Sequence, residues 1–371
     1  GEAVAMLGDH AVGISGYSEV YHDLTYPSDV TNATSHFRNI QIIPIADGTN
    51  RVMRIYAYAG WNHYLIIQVG TWVSATREMT WGIPLRTTHQ MAAMSAVYDA
   101  AEDVVAIAYQ DDEDSGRMCV LIVQPHASAN SIITSTDYDT NVIAPVRTEI
   151  GARDGSGDLG ATGLEIDKAE HYGIWIAEDA VNDKLIIAYP EEEDAGECKM
   201  VALTIVADDE GSEADEHKVT SYIGETLVST NGDFTTGIQM GFRNGKGCVV
   251  YNAYSDSEYT HAQGFTVNTS GTPSFTLTGQ QSDGTSEPFG ADKKVMMHSD
   301  IATTRDTPTT TQLSYDSDND VWLVTGTFTD GDSDKVPVLA SFTVGTRGTA
   351  GPSGGNTLAF VDTFNIATGG T

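Results

Sequence analysis

The stretch MSAVYDAAEDVVAIAYQDDEDSGRMCVLIVQP (residues 94–125) decides the fold. An apolar strand runs into Val97-Tyr98-Asp99 and a turn. A second strand, Val104-Val105-Ala106-Ile107-Ala108-Tyr109, is apolar at nearly every position. An acidic turn, Asp111-Asp112-Glu113-Asp114, follows, and then a third strand through Cys119. A run that is apolar on both faces is a strand buried on both faces. Turns that close such strands are rich in Asp, Asn and Gly, whose side chains or backbones suit tight reversals.

Four further stretches repeat this grammar. They are NIQIIPIADGTNRVMRIYAYAGWNHYLIIQVG (39–70), GIWIAEDAVNDKLIIAYPEEEDAGECKMVALTIVA (173–207), GIQMGFRNGKGCVVYNAYSDSEYTHAQGFTVN (237–268) and TQLSYDSDNDVWLVTGTFTDGDSDKVPVLASFTVG (311–345). Aligned on the aromatic that ends each second strand, the repeats mark Tyr58, Tyr109, Tyr189, Tyr254 and Phe328. Repeats of all-β pattern at this spacing predict propeller blades. The expected fold is an all-β β-propeller of about five four-stranded antiparallel blades with an N-terminal arm. The blades fall near 37–90, 91–150, 171–230, 235–280 and 311–371, and residues 1–36 form an arm or a ring-closing strand. Fourth strands are expected at Met79–Leu85, Ser274–Leu277 and Thr357–Val361, with 131–146 and 218–228 as the candidates in the second and third repeats. The Gly/Asp-rich stretches 147–170 and 279–310 are insertions between blades, where function often sits.

Charge bounds the partners. There are 52 Asp and Glu against 19 Lys and Arg, a net charge of −33. Nucleic acid and anionic membrane are excluded as partners, because both need a basic surface. Self-repulsion of this size is relieved by high salt or by bound divalent cations. The low Lys content and abundant Asp favour the high-salt setting. No cofactor is required, and Ca²⁺ is the candidate cation. Three cysteines without a CxxC, namely Cys119, Cys198 and Cys248, read as small buried hydrophobes. The chain opens Gly1-Glu2, as a processed product or one that lost its initiator Met would.

The blade grammar resembles a propeller of tail-fibre and other surface proteins of tailed viruses, notably marine phages. Val97-Tyr98-Asp99 followed by Ile107-Ala108-Tyr109-Gln110-Asp111 carries the likeness. Ser314-Tyr315-Asp316 and Ile187-Ala188-Tyr189 match in part, and Phe242-Arg243-Asn244 departs from it. The resemblance spans about residues 37–365 and brings no catalytic residues with it. It implies a virion surface location, host attachment, a host glycan or glycoprotein as ligand, other virion proteins as partners, and homo-oligomeric assembly. The leading expectation is therefore a non-enzymatic tail fibre or receptor-binding spike of a virus of a halophile. The alternatives are a cellular adhesin or surface-layer-associated propeller of a halophile, and a secreted five-bladed glycosidase.

Candidate site residues are few. Asp316, Asp318 and Asp320, and again Asp330, Asp332 and Asp334, alternate as Ca²⁺ ligands can. Neither series completes an EF-hand loop, which needs Gly at position six and Glu at twelve. The corresponding turns of other repeats break the alternation with Ala, Asn or Gly, which favours an Asx-rich hairpin turn. Trp61 and His63, in a turn of the first repeat, would suit a sugar platform. No H-E-x-x-H or P-loop pattern occurs. Asn32-Ala33-Thr34 and Asn268-Thr269-Ser270 are N-glycosylation sequons.

Overall fold

The computed structural model describes residues 3–7, 10–14, 37–46, 48–58, 64–111, 118–132, 142–143, 146–149, 151–153, 159–163, 174–190, 198–207, 217–228, 238–253, 259–278, 293–294, 311–318, 321–329, 335–346 and 356–365. The chain divides into two compact units. One comprises Gly1–Asp114, Val120–Thr148 and Ala207–Lys218; the other comprises Ser115–Cys119, Glu149–Val206 and Val219–Thr371. All regular structure among the described residues is strand.

In the first unit, β1 (Ala3–Leu7) and β2 (His10–Ile14) pair with each other as a separate hairpin. The ring-closing alternative for residues 1–36 therefore has no pairing behind it among the described residues. The main sheet holds β3 (Phe37–Ile45), β4 (Arg51–Tyr58), β5 (Tyr64–Val73), β6 (Glu78–Trp81), β7 (Leu85–Asp99), β8 (Val104–Asp111), β9 (Met118–Val123), β10 (Val142–Ile143) and β11 (Val146–Glu149). Its order is β11-β9-β8-β7-β5-β4-β3, with β6 on β5 and β10 on β7.

Two blades are fused in that sheet, and β7 is the reason. Its first residues pair with β5 (Leu85 with Ile67, Gln90 with Tyr64), the place of a fourth strand. After a register shift between Met91 and Met94, the rest pairs with β8 as the first strand of the next blade. The fourth strand expected at Met79–Leu85 is thus split. Glu78–Trp81 pairs with the Gly70–Val73 end of β5, and Leu85 starts the next strand.

In the second unit, β12 (Gly151–Arg153) and β13 (Leu159–Gly163) form a small hairpin inside the first insertion. Three sheets follow in chain order. The first is β14 (Trp175–Asp179), β15 (Lys184–Pro190), β16 (Cys198–Ala207) and β17 (His217–Leu227). The second is β18 (Gln239–Arg243), β19 (Lys246–Ala253), β20 (Tyr259–Asn268) and β21 (Ser274–Thr278), with β22 (Lys293–Lys294) on β20. The third is β23 (Thr311–Asp316), β24 (Val321–Thr329), β25 (Lys335–Thr346) and β26 (Asn356–Asn365). The expected fourth strands at 218–228, 274–277 and 357–361 are β17, β21 and β26. The fold is an all-β propeller of four-stranded antiparallel blades.

Burial follows the apolar runs. Every residue of Val104–Tyr109 and Leu185–Tyr189 is fully buried, as strands apolar on both faces require. Cys119, Cys198 and Cys248 are buried free thiols. Between the third and fourth blades, Ile186, Ala188 and Met200 pack with Met240, Phe242, Val249, Tyr251 and Phe265 in one core cluster. Phe265 meets Phe275 edge-on, centroids 5.6 Å apart, a favoured aromatic geometry.

The register also corrects the repeat. Each second strand begins just after its hairpin, at Arg51, Val104, Lys184, Lys246 and Val321. Counting to the sixth residue gives Tyr56, Tyr109, Tyr189, Tyr251 and Gly326. The equivalent aromatics of the first and fourth blades are therefore Tyr56 and Tyr251, not Tyr58 and Tyr254, and the fifth blade has none there. Tyr56, Tyr109, Tyr189 and Tyr251 are all buried.

Candidate functional site

Three blades place an Asp at the last residue of their first strand, after an aromatic in Tyr98-Asp99 and Tyr315-Asp316 and after Glu178 in the third. There it meets a turn with unpaired backbone N–H groups, and it caps them. Asp99 Oδ1 accepts from the N–H of Ala101 at 2.9 Å and of Glu102 at 3.2 Å. Asp179 Oδ1 accepts from Val181 N–H and Asn182 N–H, both at 3.2 Å, and its Oδ2 accepts from Asn182 Nδ2 at 2.6 Å. Asp316 Oδ1 accepts from Asp318 N–H at 3.0 Å. Asp99 and Asp179 are buried. The residue closing the turn takes the left-handed conformation, with φ of 54° at both Asp103 and Asp183, which Asp and Asn tolerate best. Tyr98 Oη donates to the Asp103 carboxylate at 2.6 Å.

These carboxylates hold hairpins. Asp316 is an Asx cap, and Asp318 is an exposed turn residue whose backbone N–H the cap receives. Asp320, Asp330, Asp332, Asp334, Trp61 and His63 lie outside the described residues, as do Asp112–Asp114 and Glu191–Asp194. Among the described residues, no group of three or more His, Cys, Asp or Glu side chains is placed to hold a metal ion.

Neighbouring blades are tied by glutamines that the sequence did not single out. Gln41 in β3 donates Nε2 to the Met94 carbonyl at 3.3 Å, and its Oε1 accepts from Ala96 N–H at 2.8 Å. Gln239 in β18 accepts from Leu313 N–H of β23 in the same way. The two occupy one repeat position. Gln41 pairs with Ile55 and Gln239 with Val250, each one residue before the buried tyrosine. Gln312 stands at that position in the fifth blade, opposite Thr325. A glutamine recurring at this register was the available signal, but only a correct hairpin alignment exposes it.

The second-unit link also fixes direction. Gln239, near the start of β18, meets Leu313 of β23, and Asn244, just past the end of β18, donates Nδ2 to Tyr315 Oη at 3.2 Å. The two first strands therefore run the same way. The first-to-second hairpins of the fourth and fifth blades, at 244–245 and 317–320, share one end. Antiparallel pairing then puts the ends of both second strands, Ala253 and Thr329, at the opposite end. In the sequence, Asp256 and Glu258 follow the one strand and Asp330, Asp332 and Asp334 the other; all five lie outside the described residues.

Two buried cations have structural work in the first unit. Arg51 donates Nε to Thr49 Oγ1 at 2.9 Å and its Nη1 to the carbonyls of His126 and Ala129, pinning the connection that follows β9. The Arg54 guanidinium lies 4.0 Å from the Trp81 ring centroid, a cation–π stack, and its Nε donates to Gln68 Oε1 at 2.6 Å. Burial pushes the Cys248 thiol up, away from the reactive thiolate form.

No protein-family model matches the chain, and no curated protein matches it. Solved structures do. It is similar to Bacillus subtilis levansucrase in complex with oligosaccharides, at 10% identity over 91% of this chain and 88% of that one, TM-score 0.41. It is similar to B. megaterium levansucrase at 11% identity over 89% and 86%, TM-score 0.42. Endo-1,5-alpha-L-arabinanase from Thermotoga petrophila matches at 11% identity over 86% and 80%, TM-score 0.33. At this level the likeness concerns fold alone. The expectation of a non-enzymatic virion surface protein is corrected on this finding: the structures it is similar to include levansucrases, an arabinanase and a putative 6-phosphogluconolactonase.

Proposed function

We propose that this chain is a carbohydrate-acting enzyme, a propeller glycosidase or transglycosidase. What supports the reading is the alignment of β18 with β23. It brings the strand ends Ala253 and Thr329 to the same end of their blades, and in the sequence the carboxylate-bearing stretches 254–258 and 330–334 follow them. Glycoside cleavage uses two carboxyl groups. One protonates the leaving oxygen, and the other attacks the anomeric carbon or activates water there. Separations of about 5–5.5 Å serve retention and about 6.5–9.5 Å serve inversion. A capping carboxylate such as Asp179 is unsuited to either role, because its lone pairs are engaged by backbone donors and it is buried. In this reading the pair comes from Asp256 or Glu258 on one blade and Asp330, Asp332 or Asp334 on the next.

The test is release of sugar or oligosaccharide from a panel holding sucrose, fructans and arabinans, followed by chromatography with pulsed amperometric detection. Turnover that is lost in one Asp→Asn or Glu→Gln variant among those five positions supports the assignment. Asp316→Ala, at the opposite end of the blade, should keep the activity. A folded protein that neither binds nor cleaves any member of the panel overturns it.

A further inference from the structure

The sequon Asn268-Thr269-Ser270 is placed by the fold where an acceptor must be. It sits in the connection between β20 and β21, whose last register pair is Asn268 with Ser274. Residues 268 through 272 are all exposed, a run of five in a chain whose strands are otherwise largely buried. Gly271 turns the chain with φ of 75°, and a side chain built there would meet nothing within 4 Å.

Local geometry adds a second, independent observation. Asn268 Oδ1 accepts two hydrogen bonds from the same residue, from Ser270 N–H at 3.0 Å and from Ser270 Oγ at 2.8 Å. The hydroxyl that defines the sequon is therefore already on the acceptor amide. Both bonds fall on the oxygen and none on Nδ2, and Asn268 is exposed. A hydroxyl donating to the carbonyl draws density from the amide nitrogen and eases loss of its proton.

We propose that Asn268 is an N-glycosylation site. The donor is a lipid-phosphate-linked saccharide. Asn268 Nδ2 bonds to its anomeric carbon, the bond from that carbon to the phosphate oxygen breaks, and the lipid phosphate leaves while the amide proton passes to the transferase. In the fourth blade this connection shares its end with the 244–245 hairpin, opposite the Ala253 end of β19. A glycan here leaves the proposed carbohydrate site clear, and the proposal stands without that reading. Asn32, the other sequon asparagine, lies outside the described residues.

The experiment is secretion of the full chain from an N-glycosylating host together with a reporter glycoprotein, then peptide mapping by mass spectrometry. Expected is a saccharide on the peptide spanning 259–278, released enzymatically with conversion of the asparagine to aspartate. Occupancy should fall to background in Asn268→Gln and in Ser270→Ala, and persist in Ser270→Thr. Ser270→Ala keeps the backbone bond to Asn268 Oδ1, so its loss of glycan is separable from loss of the turn. A bare 259–278 peptide beside an occupied reporter overturns the proposal. So does undiminished occupancy in Ser270→Ala.

Discussion

Replacing Asp179 by alanine tests whether the Asp that ends a blade's first strand is a turn device. The substitution removes three acceptor contacts, from Val181 N–H, Asn182 N–H and Asn182 Nδ2. Hydrogen bonds to a charged group contribute about 1.5–3 kcal/mol each at best, and neutral ones about 1. Two of the three are long at 3.2 Å, and the exposed Val181 can offer its N–H to water instead. Removing a buried carboxylate also relieves its desolvation. We expect a net loss of about 2–3 kcal/mol, at the upper end of cap deletions. Asp316→Ala, with a single bond at 3.0 Å and only half-buried, should lose about 1 kcal/mol. Asp179→Asn keeps an acceptor for the backbone and should fall between the two. The assay is urea unfolding followed by far-ultraviolet circular dichroism in 0.15 M salt, reading the midpoint at constant m-value. A loss below about 0.5 kcal/mol for Asp179→Ala would mean that water replaces the carboxylate freely. A larger loss for Asp316→Ala than for Asp179→Ala would equally refute the capping account.

Three further outcomes follow from the packing. Gly247→Ala puts a Cβ 2.2 Å from Phe265 Cζ, its cross-strand partner's ring, and should cost about 1–3 kcal/mol in thermal unfolding; Phe265→Leu in the same chain should recover part of it, and an unchanged melting temperature in the single variant would refute the contact. Gln239→Leu leaves the Leu313 N–H without that acceptor and should destabilise by about 1–3 kcal/mol, with Gln239→Glu milder; equal urea midpoints for wild type and the leucine variant would show that the link between blades is dispensable. Burial raises the Cys248 pKa in the folded state, so the unfolded chain loses this proton first as pH rises. Its contribution is intact below the ordinary thiol value of about 8.5, and stability falls above that by up to about 1.4 kcal/mol per pH unit. Cys248→Ala should flatten that part of the profile, and an identical slope in the variant would contradict the assignment.

The blades were legible because their middle strands are apolar on both faces. Val104–Tyr109 and Leu185–Tyr189 admit no other place in a soluble chain, and both are wholly buried. Alignment of the repeats was less secure, because aromatics two or three residues apart in the sequence compete for one repeat position. Tyr56 and Tyr58, or Tyr251 and Tyr254, cannot be ranked by hydropathy; the hairpin register ranks them. The split fourth strand of the first blade was hidden by Gly82-Ile83-Pro84. Those residues interrupt pairing between Trp81 and Leu85, yet they read as part of one apolar run. The glutamine links were invisible for a related reason. A polar residue in an otherwise apolar strand looks like a solvent-facing position until its backbone partner in the next blade is known.

The fourth blade shows why its departure from the signature is a change of turn rather than of function. In the second and third blades, four residues separate the paired ends Asp99 and Val104, or Asp179 and Lys184. A loop of that length leaves backbone N–H groups pointing inward, and the Asp at its start receives them. In the fourth blade, only Asn244 and Gly245 separate Arg243 from Lys246. Both have positive φ, at 52° and 76°, the signature of a two-residue turn whose flanking pair closes the ladder directly. Such a turn leaves no inward N–H for a carboxylate to cap, so Arg243 can replace the aspartate at no cost to the hairpin. Asn244 then turns its side chain to Tyr315 of the next blade. The aspartates of the long hairpins are thus accounted for by loop length.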